Sequence, residues 1–243
     1  MKLLTVGNPK VIKGEKLGYL TAILHLAPAN MSGYQVCPMA TVGCTNGCLN
    51  TAGHGGMFKG GSKHLTSAEV VAAITDGRIT NIVQAARIRR TRMFFETRVE
   101  FMAQLETEIT AFVKRAGRKN LIPVVRLNGT SDIRWENYGI IDKFPTIQFY
   151  DYTKIPNRRN LPANYHLTFS LADGNDANAW IAGVTQNVAV VFRTDRFPET
   201  FMNRRVISGD EHDLRFLDSE HVVVGLKAKG RAKQDKTGFV KNV

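Results

Sequence analysis

The densest apolar run near the start of the chain, "KLGYLTAILHLAPA" (16–29), has the branched and aromatic content of a strand, and Pro28 stops it. "TSAEVVAAITDG" (66–77) opens on a Ser/Thr cap, carries Glu69 in its first turn and closes at Gly77, which predicts a helix. A longer helix is predicted over 92–117, where Phe94, Val99, Phe101, Met102, Leu105, Ile109, Phe112 and Val113 recur at mostly three- and four-residue steps. Beyond it the rhythm shortens. "NLIPVVRLNGTSDI", "TIQFYDYT", "NYHLTFSLA", "NVAVVFRT" and "SEHVVVGLKAKG" are short apolar or alternating runs that read as strands, with a helix in "GNDANAWIAGVTQ".

Strands alternating with helices favour βαβ units with right-handed crossovers, so the expected fold is α/β, a partial or complete (β/α) barrel or a related open sheet. No repeat, linker or low-complexity stretch divides the chain, and a single domain over 1–243 is expected. In such folds chemistry gathers at the carboxyl ends of the strands. The polar residues there are Arg126, Asn128, Thr130, Ser131 and Asp132; Asp151, Thr153 and Lys154; Ser170; Arg193 and Asp195; Lys227 and Lys229.

At 243 residues and 43% hydrophobic composition the chain can bury one sizeable core, which excludes a disordered protein. Its longest apolar runs are too short to span a bilayer, and the first residues reach Gly7 and Pro9 before a signal-peptide core could form. A cytoplasmic location without a membrane partner follows as an expectation. The net charge of +12 raises the prospect of a polyanionic partner, and most of the excess lies in residues 1–120. Its densest part, "ARIRRTRMFFETR", interleaves Arg87, Arg89, Arg90, Arg92 and Arg98 with Phe94 and Phe95. It reads either as a solvated helix face with arginine stems over apolar neighbours or as a nucleic-acid surface. The basic run "KAKGRAKQDKTGF" reads as a flexible tail, a phosphate-binding rim or a strip that neutralises an anionic centre.

All three cysteines lie within "CPMATVGCTNGC", at Cys37, Cys44 and Cys48. An odd thiol count in one segment makes no disulfide framework, and no Cys-x-x-Cys is present for a redox pair. A structural zinc site asks for four protein ligands, and His54 is the nearest candidate for a fourth. Thiolates on a glycine-containing loop also suit an iron-sulfur cluster. A cubane [4Fe-4S] cluster held by three thiolates leaves one iron open to a small molecule, a histidine, a carboxylate or water. Around it, Arg126, Asn128 and Asp132 could recognise a ligand or serve the turn at Asn128-Gly129, and Asp151 and Lys154 could orient a polar ligand or close a strand as an ion pair. The acidic stretch "ISGDEHDLRFLD" (207–218) reads as a surface turn that pairs with the basic C-terminal run.

A strand followed by a three-cysteine loop and then α/β alternation resembles the radical S-adenosylmethionine (SAM) enzymes, in which a partial barrel carries a [4Fe-4S] cluster whose unique iron chelates SAM. The spacing here is Cys-x6-Cys-x3-Cys where that superfamily usually has Cys-x3-Cys-x2-Cys, and "RLNGTSDI" stands where a Gly-Gly-Glu would follow the next strand. Over nearly the whole chain, "CPMATVGCTNGCLNTAGHGG", "VRLNGTSDIRWE", "FPTIQFYDYTK", "NYHLTFSLADGN", "ISGDEHDLRFLD" and "VGLKAKGRAKQDKTGFV" look like the phage-encoded gene product eighty-eight family. That resemblance implies a viral protein made in the cytoplasm of an infected bacterium, with Cys37, Cys44 and Cys48 as cluster ligands in a radical-SAM-like barrel. Two functions are expected from this: an iron-sulfur protein with redox or radical-SAM-like chemistry, or a zinc- or cluster-stabilised basic protein that binds nucleic acid.

Overall fold

The computed structural model describes residues 1–7, 9–52, 55, 72, 76 and 81–243. The helix predicted over 66–77 and the glycine-rich stretch around His54 lie outside the described residues, apart from Gly55, Ala72 and Asp76. The elements are β1 (Leu4–Thr5), α1 (Pro9–Glu15), β2 (Tyr19–Leu24), α2 (Val42–Asn46), α3 (Ile82–Glu96), α4 (Arg98–Arg118), β3 (Ile122–Arg126), β4 (Gln148–Thr153), β5 (Tyr165–Ser170), α5 (Asp176–Ala182), β6 (Val188–Arg193), β7 (Thr200–Phe201), β8 (Arg204–Ser208), β9 (Val223–Lys227) and β10 (Val240–Asn242).

Among the described residues ten strands form one largely parallel sheet in the order β1-β2-β3-β4-β5-β6-β9-β8-β7, with β10 beside β6. Only the edge pairs β1–β2 and β7–β8 are antiparallel. The path is open, ending at β1 and β7, so the fold is mixed α/β with a parallel sheet whose strand order runs from β2 to β6 without reversal. Such an order has no switch point, and right-handed crossovers then fall on one side of the sheet. Strand β9 follows β6 along its length, Val188↔Val223 through Phe192↔Lys227. On the other edge of β6, β5 pairs with Val188 and Ala189, and β10 takes over at Val191–Arg193. The C-terminal run is therefore folded back into the sheet, and the flexible-tail reading is corrected by that pairing.

Side chains alternate between the two faces of the sheet. Leu20, Leu24, Val125, Leu127 and Phe149 face the stripe Phe101, Leu105, Ile109 and Phe112 of α4, whose spacing of three and four residues puts them on one side of that helix. Full burial of each such side chain stabilises by roughly 1.5–3 kcal/mol. The single helix predicted over 92–117 is two. Thr97 leaves helical geometry at φ −136°, its N–H and hydroxyl both bonding to the Met93 carbonyl, and the Arg98 guanidinium takes the Phe94 carbonyl that the break frees. On the opposite face Tyr19, Val124 and Tyr150 pack against Leu214 and Phe216. The stretch 207–218 is thus not wholly the surface turn expected: Glu211 and Leu217 are exposed, but its middle is interior, with Asp213 buried and Arg215 at 0% exposure. The pairing expected of it is present at its rim, where Lys229 meets Asp210 at 2.9 Å.

Candidate functional site

After β2 the chain turns at Ala29, which adopts a left-handed φ of 50°. That turn aims the Ala29 N–H at the Cys37 sulfur, 3.4 Å away. Thr41 caps α2 by accepting from the Cys44 N–H at 3.1 Å. The same hydroxyl donates to the Asp173 carboxylate, which also accepts the Gly43 N–H at 3.1 Å. Gly43 is required there, since a Cβ would stand 2.0 Å from the Thr237 hydroxyl and 2.6 Å from Phe239 Cβ. Cys48 follows α2, and its sulfur accepts from the Asn50 N–H at 3.5 Å. Asn50 is locked in turn, its amide donating to Gln84 at 2.9 Å and its carbonyl accepting from Gln84 Nε2 at 2.8 Å.

Cys37, Cys44 and Cys48 all line one cavity of about 290 Å³ at the carboxyl ends of the parallel strands. Arg126, Asn128, Asp132, Lys154 and Ser170 form its facing wall, and Leu49, Val191, Leu226 and Phe239 supply apolar surface. Burial pushes the Cys37 thiol up to about 12 and the Cys48 thiol up to about 11, in each case against one stabilising N–H bond. Thiols held so firmly protonated are poor nucleophiles. Among the described residues no group of three or more His, Cys, Asp or Glu side chains is placed to hold a metal ion between them.

Of the strand-end residues singled out from the sequence, Arg126, Asn128, Asp132 and Lys154 reach the cavity, and Asp151 does not. Asn128 uses its side chain on the local turn, accepting from Ser131 and from the Ile133 N–H at 2.9 Å and donating to the Ile133 carbonyl. Asp132 joins two strand ends, accepting from the Thr153 hydroxyl at 2.8 Å and the Lys154 N–H at 2.7 Å. Asp151 and Lys154 do not pair. Lys154 Nζ donates to Ser170 at 2.8 Å over the Phe239 ring, and Arg126 pairs with Asp213 at 2.7 Å and stacks on Tyr152.

Asp151 is fully buried and accepts from the Asn128 N–H at 2.7 Å and Tyr165 at 2.9 Å. Burial pushes its carboxyl up to about 7, opposed by Arg126 and those two donors. The folded chain then holds a proton that the unfolded chain has lost between about pH 4 and 7, so stability falls as pH rises through that window. The Asp151→Asn variant lacks this titration and should gain on the wild type across the window, on the order of 1 kcal/mol per pH unit, in denaturant midpoints measured from pH 4 to 8.

The arginine-rich stretch is largely turned inward. Arg90 donates to the Lys2 carbonyl at 2.8 Å, Arg98 stands over the Phe94 and Tyr138 rings, and Arg87 reaches Asn50. Arg89 and Arg92 stay exposed, and Arg92 pairs with Glu96. Sequence reasoning missed Asn50, Gln84, Arg87 and Asp173 as supports of the cysteine loop; the one available signal was that Asn81, a capping residue, starts α3 well before the arginines.

Residues 2–243 match the Gene product 88 family, and the chain belongs to that family. No curated protein and no solved structure matches the chain. Among the described residues no helix is long and apolar enough to cross a membrane.

Proposed function

We propose that the chain is an iron-sulfur protein holding one [4Fe-4S] cluster through Cys37, Cys44 and Cys48, with one iron open to a small molecule or a non-cysteine ligand in the cavity. The observation that carries this reading is that three thiols from one loop face one cavity at the carboxyl ends of the parallel strands. A structural zinc site asks for four protein ligands, whereas a cubane cluster can be held by three thiolates, the number this loop supplies. A cluster is larger than one ion and accepts thiolates spread over a cavity wall. His54 is kept as the proposed fourth ligand.

When bound, the cluster would supply one-electron chemistry and an exchangeable iron site. The chain's own residues do the rest. The N–H groups of Ala29 and Asn50 bond to the ligand sulfurs and tune their basicity. Arg126, Asn128, Asp132 and Lys154 would bind and orient a small molecule, and Leu49, Val191, Leu226 and Phe239 exclude water from it. The unreversed order of β2 to β6 supports a radical-SAM-like partial barrel, and SAM is one candidate for the open iron. The setting proposed is a phage protein acting in the cytoplasm of the infected bacterium.

Anaerobic purification followed by iron and sulfide analysis, and electron paramagnetic resonance of the reduced protein with and without SAM, tests this. The expected result is iron and sulfide in cluster stoichiometry, with a signal that SAM perturbs if the radical reading holds. Stoichiometric zinc without iron sinks the cluster. The case then passes to nucleic-acid binding through the exposed Lys227, Lys229, Lys233 and Lys236, with strong salt dependence as its signature.

Asp173 gives a second check. Its carboxylate holds both Thr41 and the Gly43 N–H of the cysteine helix. Asp173→Ala should speed iron loss to a chelator by about 10- to 100-fold, as removal of outer partners of metal ligands does, with the far-ultraviolet circular dichroism unchanged.

A further inference from the structure

Arg87 sits behind the cysteine loop. Its Nη1 donates to the Asn50 carbonyl at 3.1 Å and to the Asn50 side-chain oxygen, two residues past Cys48. Its Nε is buried and has no hydrogen-bond partner. Among the described residues no carboxylate pairs with it. Three arginines buried elsewhere in the fold do have carboxylates: Arg126 has Asp213 at 2.7 Å, Arg158 has Glu136, and Arg215 has Asp218 at 3.2 Å. Arg87 and Cys48 feel each other's charge, and the other cation felt at Cys48 is Lys154, which approaches from the cavity and pairs with no carboxylate among the described residues either.

A desolvated cation without a counter-charge is costly. The fold brings one, Arg87, up behind Cys48, which marks the place as one that becomes negative when it is in use. Lys154 faces the cavity and is open to a ligand. Arg87 does not line the cavity, and among the described residues the negative charge that acts on it is that of a Cys48 thiolate.

We infer that Arg87 is the counter-charge of the metal-thiolate centre at Cys48 and that it raises the centre's reduction potential. The inference rests on the cluster reading above. Three thiolates bring three negative charges, and reduction adds one electron. A guanidinium nearby in a medium of low dielectric favours the more negative state. Asn50, locked by Gln84, fixes the distance at which that charge acts. Arg87 is a positioning residue in electrostatic terms, and touches no substrate.

The test is the midpoint potential of the cluster, from a redox titration followed by electron paramagnetic resonance, in the wild type, Arg87→Met, Arg87→Lys and the exposed control Arg92→Met. At a potential fixed near the wild-type midpoint, Arg87→Met should lower the ratio of reduced to oxidised cluster about tenfold, equivalent to about 59 mV for one electron. Arg87→Lys and Arg92→Met should stay close to the wild type. Arg87→Met with a full cluster at the wild-type potential overturns the inference. So does Arg87→Lys matching Arg87→Met, because the bonds to Asn50 and not the charge would then matter. If Arg87→Met loses iron and sulfide, retention in Arg87→Lys upholds the counter-charge and loss in both overturns it. Absence of iron and sulfide from the wild type itself is a different failure, that of the cluster reading, and it shows before any variant is compared.

Discussion

Cys44→Ala should yield a folded chain that retains at least tenfold less iron and sulfide than the wild type. Cys44 sits in the middle of α2, and beyond its sulfur it contributes only part of a small apolar group with Ala172, Ala228, Ala232, Phe239 and Val240. Exchange for alanine keeps the Cβ and the helix propensity, so the loss of one sulfur is a small perturbation of packing. It is a large one for a centre that would be left with two thiolates. The thermal midpoint of the wild type should fall when the cluster is stripped, because whatever binds only the folded state adds to its stability. The variant's midpoint should not respond to the same treatment. A Cys44→Ala protein that keeps its iron and sulfide would remove this residue from the ligand set, and with it the proposal that three cysteines hold the centre.

The parts of the fold that could be read in advance are those whose signal is local. The apolar stripe of α4 and the runs of β2, β4, β5, β6 and β9 show in side-chain periodicity. The cysteine loop shows in composition. Once the sheet was expected to be parallel, the strand ends placed Arg126, Asn128, Asp132 and Lys154 around the thiols, and these four line the cavity. Asp151, one step below Thr153 on the same face of β4, does not line the cavity because the Asn128 N–H and Tyr165 take up its carboxylate beneath it.

The rest depended on contacts between residues far apart in the chain. Nothing near Arg87 reveals that it will find the Asn50 carbonyl, 37 residues away, and an arginine beside two other arginines reads as surface. The 207–218 stretch looks like a solvated acidic turn, yet the Arg126–Asp213 and Arg215–Asp218 pairs let its middle be buried. Strand β10 is three residues long at the end of a lysine-rich run, and only the vacancy left beside β6 where β5 stops gives it a partner. Charge pairing and edge availability are properties of the assembled sheet, and periodicity does not report them.

The residue that leads into that C-terminal strand carries the other large expected effect. Phe239→Ala should destabilise the chain by about 3–5 kcal/mol, read as a lower denaturant midpoint at unchanged slope. Phe239 is buried, and its neighbours Ala172, Ala228 and Ala232 are small, so it supplies most of the apolar surface in that group. It also meets the cysteine loop, where Cβ atoms added to Gly43 and Gly47 would lie 2.6 and 3.2 Å from it. Nothing small enough to rearrange cheaply is available to fill the space. The functional consequence follows from position. Phe239 walls the cavity beside Cys44 and Cys48, so its removal would admit water and oxygen to the proposed centre, and the lifetime of the proposed cluster in air should shorten by about tenfold at temperatures where the variant is still folded. Val240→Ala, which removes less volume one residue further along, serves as the comparison and should cost about 1–2 kcal/mol less. If Phe239→Ala were as stable as the wild type, the cysteine loop would have to be held by Asp173 and Asn50 alone, and β10 would be an ornament of the sheet and not a wall of the site.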